Sequence, residues 1–237
     1  MTLEGALEFV PGGRRYPGRH TVVDATLVRG DERVPVVVKK TRATARQRLG
    51  VPKAVRSYEV ARELVRRGLP TPEPLGVVLK REESWFVARR VDGALEVRAW
   101  FMHRDDPAGV PQPALAYSFE DIVRALGRLA RRLHEAGVFY RDFTDGNVLV
   151  TAGSAGPDLW LVDLNRVRVG PAPLGTLSRL RDLARPGLNR AADRKLFLES
   201  YFEPDPVPRS AERAVAALRA RIVRWDELKR LLRPWRT

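Results

Sequence analysis

The chain has 237 residues, 44% hydrophobic and 30% charged, which is apolar enough to offset the entropy of ordering a backbone and long enough for one large domain or two small lobes sharing a cleft. It has no cysteine, which excludes disulfides, thiolate metal sites and cysteine nucleophiles, and its three histidines, His20, His103 and His134, lack the spacing of a zinc site. The formal charge is +14, no apolar run approaches the roughly 18 residues needed to span a bilayer, and Glu4 and Glu8 spoil the N-terminus as a signal peptide, so a cytoplasmic setting is expected.

Residues 6–10 (ALEFV), 21–28 (TVVDATLV) and 33–39 (RVPVVVK) are short, β-branched and separated by turn formers, and read as three antiparallel strands. Pro52 opens a helix that runs to Arg67 and is closed by Gly68. Residues 75–79 and 84–88 fit a further hairpin across Lys80-Arg81-Glu82-Glu83. His103 to Pro113, with three prolines, reads as a mobile loop. Ser118 with Asp121 then makes a capping-box start, and Ile122, Leu126, Leu129 and Leu133 recur at helical spacing until Gly137. Strands are expected at 148–150 and 159–162, and helix from about residue 176 onward, where Val215, Leu218, Ile222, Trp225 and Leu228 form an apolar stripe under a basic face.

The basic excess is uneven. Lys39 to Arg67 holds ten basic and two acidic residues, and Glu212 to Arg236 holds eight and three. Such a surface attracts phosphates, anionic lipid headgroups or nucleic acid, with Arg46, Arg48 and Arg56 as candidate contacts to anionic lipid; solvated arginines without a partner are the plainer alternative.

Phosphoryl transfer needs groups that clamp phosphates, hold magnesium and orient an acceptor hydroxyl, and four elements suit those tasks in order. Lys39 ends the strand VPVVVK, where alternation points one lysine into a cleft and Lys40 away. Glu59 or Glu63, one turn apart on the following helix, are candidates to pair with that lysine, Glu59 being favoured as nearer the helix middle. The run Tyr140-Arg141-Asp142-Phe143-Thr144-Asp145-Gly146-Asn147 supplies R-D-x-x-x-x-N directly after a helix, and Asp163 follows the apolar strand LWLV. Singly, each has an ordinary reading: a solvated strand end, helix-face charges pairing with Arg66 and Arg67, a turn cap.

Together these residues resemble the protein-kinase-like superfamily, and VVVKKTR, ELVRRGLPTPEPLG, HEAGVFYRDFTDGNVLV and LWLVDLNRVRVG, with RDLAR and FLESY, resemble the bacterial lipopolysaccharide kinase family acting on core heptose or Kdo, from about residue 20 to 203. The resemblance implies Asp142 as catalytic base, Asn147 and Asp163 as magnesium ligands, Lys39 as the phosphate-binding lysine, and Asp182 as a buried carboxylate accepting N–H bonds from the catalytic loop. It also implies an α+β, two-lobed fold: an N-terminal lobe over 1–88 with a small antiparallel sheet and one helix, a hinge over 89–92, and a mainly helical lobe over 93–237, with the active site between lobes. ATP's adenine would meet the hinge backbone at Arg89, Arg90 and Val91, and Gly12-Gly13 offers a phosphate-covering loop without the G-x-G-x-x-G pattern. Tyr140 stands where histidine usually precedes Arg-Asp, Asp163-Leu164-Asn165 lacks the usual glycine, and Thr144 and Gly146 replace the Lys and Glu typical of protein kinases, which favours a sugar or other small acceptor over a protein; the family resemblance implies a lipid-linked sugar at the inner membrane face. A small protein kinase, or a pseudokinase binding nucleic acid or anionic membrane, are the alternatives.

Overall fold

In the computed structural model, residues 3–9, 15–16, 21–42 and 50–232 are described. They divide into two units, Met1–Gly93 with Trp160–Asn165, and Ala94–Leu159 with Arg166–Thr237. Gly12, Gly13, Arg46 and Arg48 lie outside the described residues.

The first unit is built on alternation. Its sheet contains β1 (Leu7–Phe9), β2 (Arg15–Tyr16), β3 (Thr21–Arg29), β4 (Glu32–Arg42), β5 (Pro74–Leu79) and β6 (Glu83–Arg89). The order is β1-β3-β4-β6-β5, with β2 also on β3, and all pairings are antiparallel. Val34, Val36 and Val38 of β4 enter a core with Ala25, Leu27, Val78, Trp85 and Val87, as the period of two requires. β4 extends to Arg42, past the expected end at residue 39, because Lys40, Thr41 and Arg42 find register partners in Trp85, Ser84 and Glu83.

Helix α1 (Lys53–Arg66) starts after Pro52, and the chain leaves it through Gly68 at φ +66°, a left-handed conformation that glycine adopts without steric cost. Its buried residues, Ala54, Ser57, Ala61 and Leu64, recur at helical spacing and form one stripe.

The second unit contains β7 (Leu95–Glu96), α2 (Arg98–Asp105), α3 (Phe119–Glu135), β8 (Val138–Tyr140), β9 (Val148–Gly153), β10 (Gly156–Leu161, whose last two residues group with the first unit), β11 (Val167–Val169), α4 (Thr176–Leu183), α5 (Ala191–Phe202) and α6 (Arg209–Leu232). The strands form a three-stranded sheet, β10-β9-β7, and a two-stranded one, β11-β8. α3 begins with a reciprocal capping box: Ser118 Oγ accepts from the Asp121 N–H, and the Asp121 carboxylate accepts from the Ser118 N–H. The α3–α5 contact is close at Gly127, where a Cβ would lie 2.6 Å from the Phe197 carbonyl oxygen and 2.8 Å from Ser200 Cβ.

Two expectations change here. Part of the segment read as a loop from His103 is helical, since α2 runs to Asp105, and His103 Nδ1 lies 2.7 Å from the Val110 carbonyl oxygen, closing the following turn. The apolar stripe on α6 is only partly covered: Val215 is buried, whereas Trp225 and Leu228 are exposed. Arg219 anchors the earlier half of that helix, donating to Asn189 Oδ1 at 2.8 Å and to the Arg185 carbonyl. Among the described residues, no helix is long and apolar enough to cross a membrane.

Candidate active site

In the first unit, β4 delivers its two lysines to opposite faces. Lys40 Nζ sits over the Trp85 ring at 4.2 Å, a cation–π contact on the core side. Lys39 faces the other way, and its Nζ lies 2.6 Å from Asp163 Oδ1, with the lysine side chain 15% exposed. Asp163 has φ +54°, the one described non-glycine residue in the left-handed region. Such a conformation costs on the order of 1 kcal/mol or more and persists where the surroundings over-determine it. Asn165 supplies part of that support: its Nδ2 donates to Asp163 Oδ1 at 2.9 Å, and its Oδ1 accepts from Ser57 Oγ at 2.8 Å.

The lysine therefore pairs with Asp163, and neither Glu59 nor Glu63 appears in its ion pairing. Glu63 accepts from Arg66 and Arg67, and those two hydrogen bonds lower its pKa to about 2. Glu59 is exposed, because it lies two residues, about 200°, from Ser57 on the buried stripe of α1. Ser57 is the α1 side chain that reaches the Asp163 motif, and a lone serine carries no charge by which sequence reading would select it.

At the end of β6, the Arg89 backbone N–H donates to the Glu73 carbonyl and the Arg90 N–H to the Pro35 carbonyl. The Arg89 side chain pairs with Glu73 at 2.6 Å and that of Arg90 with Asp92 at 2.7 Å. Both hinge-candidate arginines thus have their side chains engaged locally. Val91 is half-buried and lines, with Leu69, Pro72 and Trp160, a cavity of about 520 Å³.

In the second unit, the loop after β8 is fixed from within and from beneath. Asn147 Nδ2 donates to the Asp142 carbonyl oxygen at 2.8 Å and to Thr144 Oγ1 at 3.2 Å. This spends the amide donors of Asn147 on the loop and leaves its Oδ1, an oxygen of the kind that hard cations take. Tyr140, Phe143 and Val148 are fully buried around the loop. The Tyr140 N–H donates to Asp182 Oδ2 at 2.6 Å, and His134 Nε2 lies 3.5 Å from the same oxygen. Burial pushes the Asp182 carboxyl above its ordinary value, against the opposing hydrogen bonds from His134 and Tyr140. The other ring nitrogen of His134 is 2.9 Å from the Tyr201 hydroxyl, so His134 is a buried structural residue.

The Asp142 carboxylate itself is 30% exposed, with Arg166 Nη1 3.2 Å from its Oδ1. That contact arises from strand register: Val167 of β11 pairs with Tyr140 of β8, so the residue before Val167 runs alongside the residues after Tyr140. Arg166 was not among the candidates, since only the pairing of two three-residue strands brings it to Asp142. Nearby, Arg98 Nε donates to Asp145 Oδ2 at 3.3 Å.

The sequence matches the model of the lipopolysaccharide kinase (Kdo/WaaP) family over residues 33–193, more than half the chain. It is 37% identical over 131 residues to a "3-deoxy-D-manno-octulosonic acid kinase" of Xanthomonas campestris pv. campestris (strain B100), covering 54% of this chain and 46% of that protein. A protein of the same name from Xanthomonas axonopodis pv. citri (strain 306) is 34% identical over 110 residues, covering 46% of this chain and 39% of the relative. The chain thus spans less than half the length of these curated relatives. Among solved structures, "WaaP in complex with acyl carrier protein" superposes with a TM-score of 0.60 at 23% identity, over 91% of this chain and 88% of that one, which is a likeness of fold.

Proposed function

The chain belongs to the lipopolysaccharide kinase (Kdo/WaaP) family, and from that premise we propose that it is a magnesium-dependent phosphotransferase moving the terminal phosphoryl group of ATP to a hydroxyl of a lipopolysaccharide core sugar. The observation that carries this reading is the bond from Asn147 Nδ2 to the Asp142 carbonyl. It ties the two ends of the R-D-x-x-x-x-N loop together through backbone and amide groups, using neither the Asp142 carboxylate, which would serve an acceptor, nor Asn147 Oδ1, which would serve a metal.

On this reading the fold is two-lobed and protein-kinase-like, with the hinge at residues 89–92 and the backbone of Arg89, Arg90 and Val91 toward adenine. Lys39 binds the phosphates. Its side chain is mostly buried and its ammonium is paired with Asp163, and it can exchange that partner for a phosphate oxygen without ever lacking an anion. Asn147 and Asp163 would hold magnesium, an ion that takes few protein oxygens and completes its shell with phosphates and water; when bound it would neutralise charge on the phosphate oxygens. Asp142 accepts the acceptor's hydroxyl proton as the new oxygen–phosphorus bond forms and the bond to the leaving ADP oxygen breaks. Glu59 has no role in this scheme. The net charge of +14 favours peripheral contact with an anionic membrane surface, where a lipid-linked acceptor would be met.

Calorimetry of ATP binding with magnesium and with EDTA tests the metal assignment, and ATP turnover against core sugars, peptides and RNA tests the acceptor class. The proposal expects binding that EDTA abolishes and turnover confined to sugars. Equal affinity in EDTA, or turnover on peptides alone, would overturn it.

A further inference from the structure

The contact between Arg166 and Asp142 has a chemistry that the reaction scheme leaves unused. Arg166 is 61% exposed and Asp142 30% exposed, the separation is 3.2 Å, and a single Nη1 contact joins them. An exposed ion pair of this kind is broken at little cost. The guanidinium presents five donors in a planar fork, and one contact to Asp142 leaves most of that fork available. The backbone beneath is fixed, since Leu164 and Val167 on either side are buried and Val167 is held by the β8–β11 pairing. Arg166 is therefore a weakly held cationic head on a buried base, resting on the carboxylate that an acceptor hydroxyl would reach.

We propose that Arg166 is the specificity-determining residue for an acidic sugar: it leaves Asp142 to form a two-pronged contact with a carboxylate on the acceptor, uncovering Asp142 for the hydroxyl proton. This rests on the phosphotransferase reading above and adds the group by which the acceptor is recognised. A neutral sugar offers the guanidinium nothing to compensate for leaving Asp142, whereas a carboxylate replaces one anion with another in bidentate geometry. The neighbouring cation Arg98 pairs with Asp145 rather than with Asp142, so its release would not uncover the Asp142 carboxylate.

The test compares two probes, a glycoside of 3-deoxy-D-manno-octulosonic acid and its neutral methyl ester, on the full chain and on Arg166→Gln and Arg166→Lys. Binding is read by calorimetry, and turnover is read with magnesium-ATP. The parent should prefer the acid over the ester by about tenfold or more, as one charge-assisted contact allows. Arg166→Gln should erase that preference by weakening the acid alone, and Arg166→Lys should restore part of it. ATP affinity should be the same in all three. If Arg166→Gln lowers kcat equally for acid and ester while the binding ratio stays at the parent's value, Arg166 only orients Asp142, and the proposal is wrong. Absence of turnover in the parent with either probe would instead count against the phosphotransferase reading, and the acid-to-ester binding ratio would still decide the role of Arg166.

Discussion

The pair Lys39–Asp163 and the loop around Asp142 each present a carboxylate, on opposite kinds of support. Lys39 and Asp163 are held by a direct ion pair at side-chain exposures of 15% and 37%, between a residue within β4 and a residue at φ +54°. The Asp142 loop rests on buried Tyr140, Phe143 and Val148, with the 1%-exposed Asp182 bonded to its backbone. A charge pair can change partners when a ligand arrives; a loop fixed through its backbone stays in place while its exposed side chains act. The first arrangement suits binding of a polyanion, and the second suits positioning of a base.

The largest effect that tests this contrast separates chemistry from binding. Asp142→Asn keeps size and hydrogen-bonding shape but removes the proton acceptor, and phosphoryl transfer should fall by about 10²- to 10⁴-fold with ATP affinity nearly unchanged. Asp163→Ala should lose metal-dependent nucleotide binding together with turnover. Parent-rate transfer by Asp142→Asn, measured beside calorimetric ATP affinity, would break the assignment.

A second comparison sets function against stability. Gly127→Ala forces a Cβ into the Phe197 backbone and Ser200, overpacking the α3–α5 contact at a cost of about 1–3 kcal/mol, or several degrees in Tm. Lys39→Met removes a partly exposed ion pair and should move Tm less than Gly127→Ala does, while reducing ATP affinity far more. Thermal unfolding and calorimetry on both variants check this; a Lys39→Met Tm loss exceeding that of Gly127→Ala would mean that the ion pair is a structural prop.

Elements whose signal is local were readable in the sequence. The Ser118–Asp121 capping box, the Pro52 start and Gly68 stop of α1, and the valine alternation of β4 each encode their own geometry within a few residues. The alternation also separated Lys39 from Lys40. Contacts between segments distant in sequence were not readable: β8 and β11 are three residues each, too short for a period, yet their pairing brings Arg166 to Asp142. Choosing Glu59 as the lysine's partner went by position along α1, where the burial stripe through Ser57 and Ala61 points the other way. Helix α2 was missed because three prolines follow it and drew the loop reading back to His103.

The smallest effect concerns how the loop is supported, and its sign depends on pH. Burial raises the Asp182 carboxyl above its ordinary value of 3.8, so the folded chain keeps that proton at pH values where the unfolded chain has released it. Stability from this group is fully present below the unfolded value and declines as pH rises from there through the raised folded value, because the unfolded state then binds fewer protons than the native one. Asp182→Asn cannot titrate, yet its side-chain oxygen can still accept the Tyr140 N–H. Near pH 4 the variant should be slightly less stable than the parent, by no more than about 1 kcal/mol for an altered neutral hydrogen bond. Toward pH 8 the difference should shrink and reverse, since the parent alone must then bury a charge. Thermal unfolding of both proteins across that range reads the trend. A gap that widens with pH would mean that His134, 3.5 Å away, holds Asp182 ionised as a charged pair, and the loop would then rest on an ion pair in the same way that Lys39 and Asp163 do.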